Sequence, residues 1–193
     1  MTTLVFATHN AHKAREVMQI LGEDYVVKTL ADIGCVEEIP ETGATLEENA
    51  LIKARYVRDR YGYACFSEDT GLEVAALGGA PGVHTARFAG DSRDPQANMD
   101  LLLSRLEGHE DRSAQFRTVI ALVNGEREQL FEGVCKGRIA EARAGDQGFG
   151  YDPVFVPDGY ARTFAELGDA VKNEISHRSK AMRTFVENGL KSG

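Results

Sequence analysis

The stretch that decides the fold runs Leu4-Val5-Phe6-Ala7-Thr8-His9-Asn10-Ala11-His12-Lys13-Ala14-Arg15-Glu16-Val17-Met18-Gln19-Ile20-Leu21 and is closed by Gly22. Its first four residues form a short apolar run suited to a buried strand, and Thr8-His9-Asn10 breaks it. Ala14, Val17, Met18 and Leu21 then fall at i, i+3, i+4 and i+7, with Asn10 as N-cap and Gly22 as stop, so the spacing predicts strand, polar turn, helix. Working outward, Tyr25 to Leu30 reads as a second strand. Thr45-Leu46-Glu47-Glu48 is a capping box that opens a helix with Ala50, Ala54, Val57 and Tyr61 on its apolar face, while Asn49 and Lys53 share another stripe. Ala64 to Ser67 reads as a buried strand ending in Glu68-Asp69-Thr70-Gly71. Asp94-Pro95 starts a helix carried by Met99, Leu102, Leu103 and Leu106. Alternating residues from Phe116 to Val123, the turn Asn124-Gly125 and a second run from Glu128 to Ile139 form a hairpin. Val154 to Val156 is a short strand, and Ser176 to about Asn188 is a final helix closed by Gly189. These elements predict an α/β fold around a mixed sheet, one domain over residues 1–193.

Composition narrows the function classes. Of the 193 residues, 42% are hydrophobic and 27% charged, which excludes disorder, collagen-like repeats and coiled coil. A chain of this length buries roughly 70% of its unfolded surface and needs no disulfide or metal staple. The longest aliphatic run, Val119 to Val123, falls far short of the roughly 20 residues that cross a bilayer, so no membrane span is expected. No basic leader precedes the first strand, and Cys35, Cys65 and Cys135 are too scattered for a zinc motif; reduced thiols in a cytoplasmic protein are expected. Thirty acids against 22 bases give a net charge of −8, which disfavours nucleic-acid polymers but not a small anion. Remote surface charge fades over about 8 Å at physiological salt, so a few placed lysines decide the matter.

Four motifs bear on chemistry. Thr8-His9-Asn10-Ala11-His12-Lys13 sits where a strand hands over to a helix, offering backbone N–H groups and Lys13 to an anion such as phosphate; the same residues also suit an ordinary capped helix. Glu68 and Asp69 are adjacent acids at a strand end, with Glu41 in a preceding loop, a set that suits a cation such as Mg²⁺ or a solvated turn. Phe149-Gly150-Tyr151-Asp152-Pro153 combines two aromatic rings, a flexible glycine and a carboxylate, apt for stacking on a flat base or for a buried aromatic turn. Ser176-His177-Arg178, with Lys172 just upstream, offers further donors at a helix start. Phosphate donors, metal carboxylates and a base-stacking loop together describe a nucleoside triphosphate site.

In that order the motifs resemble the inosine/xanthosine triphosphate pyrophosphatases. The resemblance rests on Thr8-x-Asn10-x-x-Lys13, Glu41-Thr42-Gly43 with Glu48-Asn49-Ala50 and Lys53-Ala54, Glu68-Asp69-Thr70-Gly71-Leu72, Gly78-Gly79-Ala80-Pro81-Gly82, Phe149-Gly150-Tyr151-Asp152-Pro153 and Ser176-His177-Arg178, and covers nearly the whole chain. It implies an elongated mixed sheet flanked by helices, two lobes with a central cleft, a homodimer, and Mg²⁺-dependent cleavage of ITP, dITP and XTP to monophosphate and pyrophosphate. Carried over by position, it implies that Thr8, His9, Asn10, Ala11, His12 and Lys13 hold the triphosphate with Lys53 beside them. It also implies Glu41 and Asp69 at the metal, Asp69 as the base for water, and Thr70 against substrate. Phe149, Gly150, Tyr151 and Asp152 would form the base wall, and Lys172, His177 and Arg178 would complete the pocket. Two positions depart from the family pattern: Glu68 stands where many bacterial members carry aspartate, and His9 where glycine is common. A non-catalytic nucleotide sensor and a pyrophosphatase for modified pyrimidine or ordinary deoxynucleotides are the competing readings.

Overall fold

A computed structural model describes residues 2–191 of the chain. Strand β1 (Thr2–Phe6) leads through a polar turn into helix α1 (Ala11–Leu21), as the opening stretch predicts. Asn10 is the N-cap, its side-chain oxygen accepting from the N–H groups of His12 and Lys13 at 3.0 and 3.2 Å. Gly22 ends the helix at φ +65°, a conformation that favours glycine. Strand β2 (Tyr25–Lys28) follows, then helix α2 (Leu46–Tyr61), where the Thr45 hydroxyl accepts from Glu48 N–H and the Glu48 carboxylate from Ala44 N–H. The capping box therefore closes one residue earlier than the usual reciprocal pair.

Next come β3 (Cys65–Val74), α3 (Pro95–Arg105), β4 (Ser113–Asn124) and β5 (Arg127–Ile139), then β6 (Phe155–Pro157), α4 (Phe164–Leu167), α5 (Asp169–Ile175) and α6 (His177–Phe185). Asp94 caps α3 with Pro95 at its first turn, as expected. Among the described residues the strands form one mixed sheet in the order β2-β1-β3-β4-β5-β6. β1 runs parallel to β2 and to β3, and β5 runs antiparallel to β6. This is the expected α/β mixed sheet.

One strand boundary differs from the expectation. The strand expected to stop at Ser67 continues through Glu68-Asp69-Thr70-Gly71 to Val74. The turn signal fails because Glu68 is buried against cations from distant parts of the chain, described below, which remove the cost of carrying acids inside a strand. The last helix starts at His177, and Ser176, with extended backbone, stands immediately before it in the position of a cap, as expected. It finishes in a wide π turn over Val186–Leu190 that contains Gly189.

The residues divide into two compact units. The first comprises residues up to Asp69, Thr118–Gly133 and residues from Arg178 onward; the second comprises Thr70–Arg117 and Val134–His177. The first unit has a core of Leu4, Phe6, Val17, Leu21, Phe66, Ile120, Phe131, Met182 and Phe185, in which the Phe6 and Phe66 rings stack at 4.7 Å. The second has its own core, built on Leu72, Val74, Met99, Leu102, Leu106, Phe116, Val154, Phe155 and Phe164.

Candidate functional site

In the first unit, β1 pairs with β3 only as far as Phe6 and Phe66, and Ala7 N–H still donates to the Phe66 carbonyl at 2.9 Å. Ser67, Glu68 and Asp69 therefore emerge just beyond the end of the parallel pairing. In open α/β sheets that is where functional side chains gather. The Thr8–Lys13 turn leaves β1 at the same level.

Lys53, on the buried stripe of α2, reaches these acids. Its Nζ lies 2.5 Å from Glu41 Oε1 and 3.6 Å from Asp69 Oδ1, and donates to the Glu68 carbonyl at 2.6 Å. Burial alone would lower the Lys53 pKa, but the Asp69 and Glu41 carboxylates overcome it and hold the ammonium charged. For Asp69 the balance goes the other way. Burial pushes its carboxyl up despite Lys53 and Lys13, and its Oδ2 is a buried oxygen with no hydrogen-bond partner. Asn49, next on the stripe from Lys53, accepts from Gly43 N–H at 2.7 Å. A Cβ at Gly43 would lie 2.6 Å from Glu48 Cβ, so only glycine lets the Glu41 segment approach the helix so closely.

Glu68 is in a different situation. Arg178, 1% exposed, donates to both its oxygens at 2.8 Å, and Lys13 Nζ stands 3.1 Å from Oε1. The third guanidinium nitrogen of Arg178 donates to Glu16, itself buried. Burial opposes the Glu68 charge, yet the Arg178 and Lys13 cations hold its carboxyl well below the usual carboxylate range. Glu68 thus serves as an internal counter-ion, with both oxygens engaged, and the expected pairing of Glu68 with Asp69 around one cation is not what the structure shows. The helix-start donors expected to face an anion are also partly spent, since Asn10 takes the N–H groups of His12 and Lys13. Thr8 Oγ1 accepts from Asn10 N–H at 3.0 Å, His9 donates from Nε2 to the Glu37 carbonyl at 2.9 Å, and Ala11 and His12 are exposed.

In the second unit, Thr70 is half-buried and Lys172 and Asp152 are both buried, joined at 2.7 Å. Asp152 also accepts from Phe149 N–H at 3.0 Å, and the Lys172 ammonium lies 4.6 Å from the centre of the Phe149 ring, a cation–π contact. A Cβ on Gly148 would collide with the Asp152 carboxylate, and its φ is +76°, so the turn needs glycine there. Phe149 and Gly150 are half-buried, leaving part of one aromatic face accessible. Tyr151 is not a free stacking face. It is 5% exposed, packs in the core and donates to the Thr85 carbonyl at 2.7 Å, because a phenol buried on its apolar sides needs an acceptor at its tip. His177 is buried and stacks on Phe116 at 4.6 Å.

The first unit therefore gathers cations and carboxylates, and the second a cation, a carboxylate and a partly open ring. A model of the Ham1 family matches residues 4–188. This chain belongs to the Ham1 family. A Ham1 relative in Christiangramia forsetii, named dITP/XTP pyrophosphatase, is 50% identical over 184 residues, covering 95% of this chain and 97% of its own. A protein of the same name in Bacillus subtilis is 45% identical over 187 residues, covering 95% and 94%. A solved Ham1 protein structure from Coxiella burnetii matches with a TM-score of 0.90 at 37% identity and covers both chains fully. The family resemblance read from the motifs is thus borne out.

The sequence reading missed Glu16 and Glu37. Glu16 lies on the charged side of α1 in the amino-acid pattern, and nothing local distinguishes it from Arg15. Its burial was not legible without Arg178, 162 residues away.

Proposed function

We propose that this Ham1-family chain hydrolyses purine nucleoside triphosphates of the ITP, dITP and XTP kind to the monophosphate and pyrophosphate, clearing them from the nucleotide pool. The observation that carries the reading is Asp69: a buried carboxylate with one unpartnered oxygen, in a cluster where Lys53 and Lys13 supply positive charge. A base needs a pKa nearer the working pH than an ordinary aspartate, and burial moves Asp69 that way. In this reading Asp69 Oδ2 takes the proton of the water that attacks the α-phosphorus. Lys13 and Lys53 hold phosphate oxygens, assisted by Thr8 to His12. In the second unit, Phe149 and Gly150 face the base, Asp152 and Lys172 set that loop, and Thr70, Tyr151 and His177 support it. Arg178 secures the acids from behind.

Mg²⁺ belongs to the same reading. Among the described residues no group of three or more His, Cys, Asp or Glu side chains is arranged to hold a metal ion. Magnesium, however, commonly takes only one or two protein carboxylates and completes its shell with water and substrate phosphates. Glu41 and Asp69 fit that donor set, hard oxygens that already share one cation, Lys53; Asp69 would contribute Oδ1, which leaves Oδ2 for the proton of the water. When bound there, the ion supplies charge neutralisation and polarises the phosphoryl group. A second copy of the chain as partner and a cytoplasmic address complete the proposal. Buried thiols at Cys35, Cys65 and Cys135 suit a reducing compartment, and among the described residues no helix is long and apolar enough to cross a membrane.

The test is a panel of triphosphates assayed for pyrophosphate against orthophosphate, with Mg²⁺ and with EDTA. Pyrophosphate from ITP, dITP and XTP, lost in EDTA, is expected. Orthophosphate as first product would refute cleavage at the α-phosphorus, and binding without turnover would favour the sensor.

A further inference from the structure

The segment from Cys35 to Glu41 holds a group of side chains that the reaction above does not use. Alternate residues turn inward: Cys35 is fully buried, Ile39 is 6% exposed, and Val36 between them is 87% exposed. The inward residue at the centre is Glu37. Its Oε1 accepts from the hydroxyls of Tyr56 and Tyr61, both at 2.8 Å, and forms an ion pair with Arg60, whose Nε stands 3.0 Å away, while Oε2 accepts from Val36 N–H at 3.1 Å. A backbone N–H and the two tyrosine hydroxyls lower its pKa to about 2, so the carboxylate stays charged at any working pH. All three side chains come from the last turns of α2, the helix that also carries Lys53. Three hydrogen bonds and an ion pair on one half-exposed carboxylate are more than a surface glutamate needs for solvation.

The purpose of that clamp lies on the other side of the same residue. The Glu37 carbonyl accepts from His9 Nε2–H, 28 residues earlier in the chain. His9 is an exposed side chain in the Thr8–Lys13 turn and would otherwise sample its rotamers freely. A carbonyl is an acceptor only, so the contact also fixes the imidazole with its proton on Nε2. We propose that Glu37 is a positioning residue: clamped to α2 by Tyr56, Tyr61 and Arg60, it holds His9 through its own backbone and so preorganises the Thr8–Lys13 turn relative to the Glu41 segment. The inference rests on the reading of that turn as the phosphate site. Preorganisation lowers the ordering cost of binding, so its loss falls on binding rather than on the chemical step.

Amide hydrogen exchange of residues 8–13 and steady-state ITP hydrolysis, measured on the full chain, test this together. In Glu37→Ala, exchange of residues 8–13 and KM for ITP each rise roughly fivefold, the size of one lost hydrogen bond, while kcat stays within about twofold. Glu37→Gln keeps an oxygen for the tyrosine hydroxyls and recovers most of the loss. His9→Ala raises KM to a similar extent, and adding Glu37→Ala raises it little further, because the two act in series. Tyr56→Phe/Tyr61→Phe, which retains the carboxylate and Arg60, gives the same pattern in weaker form and serves if Glu37→Ala does not fold. Unchanged exchange in residues 8–13, additive KM effects, or a fall in kcat alone would overturn the proposal. If the wild-type chain releases no pyrophosphate from ITP, the functional reading fails, and the exchange data still decide whether Glu37 holds the turn.

Discussion

Glu68→Gln is the substitution whose cost the structure fixes most tightly. The carboxylate is buried, receives two 2.8 Å bonds from Arg178 and meets a second cation, Lys13, at 3.1 Å. A glutamine of the same shape keeps one acceptor oxygen but turns an N–H₂ toward a guanidinium that is 1% exposed, leaving Arg178 with Glu16 as its remaining counter-ion. Removing one partner of a buried pair costs about 3–5 kcal/mol, and the retained Glu16 places this case near 3 kcal/mol. For a chain of this length that corresponds to a drop in Tm of roughly 6–12 °C. Lys13→Met is the matched comparison. Lys13 is 18% exposed at its side chain and Glu68 keeps Arg178 without it, so the loss stays within about 1 kcal/mol, as for partly solvated pairs. Urea titration of both variants, read as midpoint at constant m, gives the two values. Equal costs for the two, or a Glu68→Gln midpoint indistinguishable from wild type, would refute the assignment of Glu68 as the counter-ion of Arg178.

Three further outcomes follow from the same contacts. Asp69→Asn retains triphosphate binding by calorimetry while pyrophosphate release falls roughly 10²–10⁴-fold, the range for loss of a general base; wild-type turnover in that variant would remove Asp69 from the role. Tyr151→Phe deletes the donor to the Thr85 carbonyl and costs about 1 kcal/mol in urea stability with selectivity among triphosphates unaltered, since the hydroxyl is already engaged; a changed ITP to XTP ratio would return Tyr151 to the base wall. Because the folded-state pKa of Glu37 is depressed to about 2 from 4.5, the unfolded chain binds more protons between those values, and the contribution of Glu37 to stability is present above pH 4.5 and lost as pH falls toward 2. Acid unfolding of Glu37→Gln therefore shows a shallower pH slope in that window than wild type, and parallel slopes would contradict the clamp.

What could be read from the amino-acid order was local. The caps at Asn10, Thr45 and Asp94 sit where their side chains imply, because each bonds N–H groups two or three residues away. The hairpin is equally local, although its turn falls on Gly125-Glu126, one residue later than expected, with Gly125 at φ +60° and Asn124 ending β4. The failures are long-range or short-lived. The strand through Glu68 to Val74 carries an acid that Arg178, 110 residues later, neutralises, and a turn signal of four residues carries no information about that partner. Helices of four and seven residues, Phe164–Leu167 and Asp169–Ile175, are too short to show a 3.6-residue period. At the site, residue types pointed to cations, carboxylates and a ring. Which carboxylate is spent and which oxygen is spare depended on three-dimensional pairing.

That pairing explains how a chain of net charge −8 can present a phosphate site. Lys13, Lys53 and Arg178 are each held by acids in the free protein, so under the proposed function binding a triphosphate is an exchange of partners, and the cation that moves is the one whose acid loses least. Arg178 has two carboxylates and almost no exposure, and withdrawing it would leave Glu68 and Glu16 buried together. Lys53 is shared by Glu41 and Asp69, and at an effective dielectric of 20 each contact near 4 Å is worth about 4 kcal/mol. Lys13 turns toward a phosphate at the least cost, because Glu68 keeps two bonds from Arg178. The buried Glu68–Arg178 pair thus makes Lys13 available at small cost, and under the proposed function the longer Glu68 side chain is compatible with its neighbour Asp69 as the base.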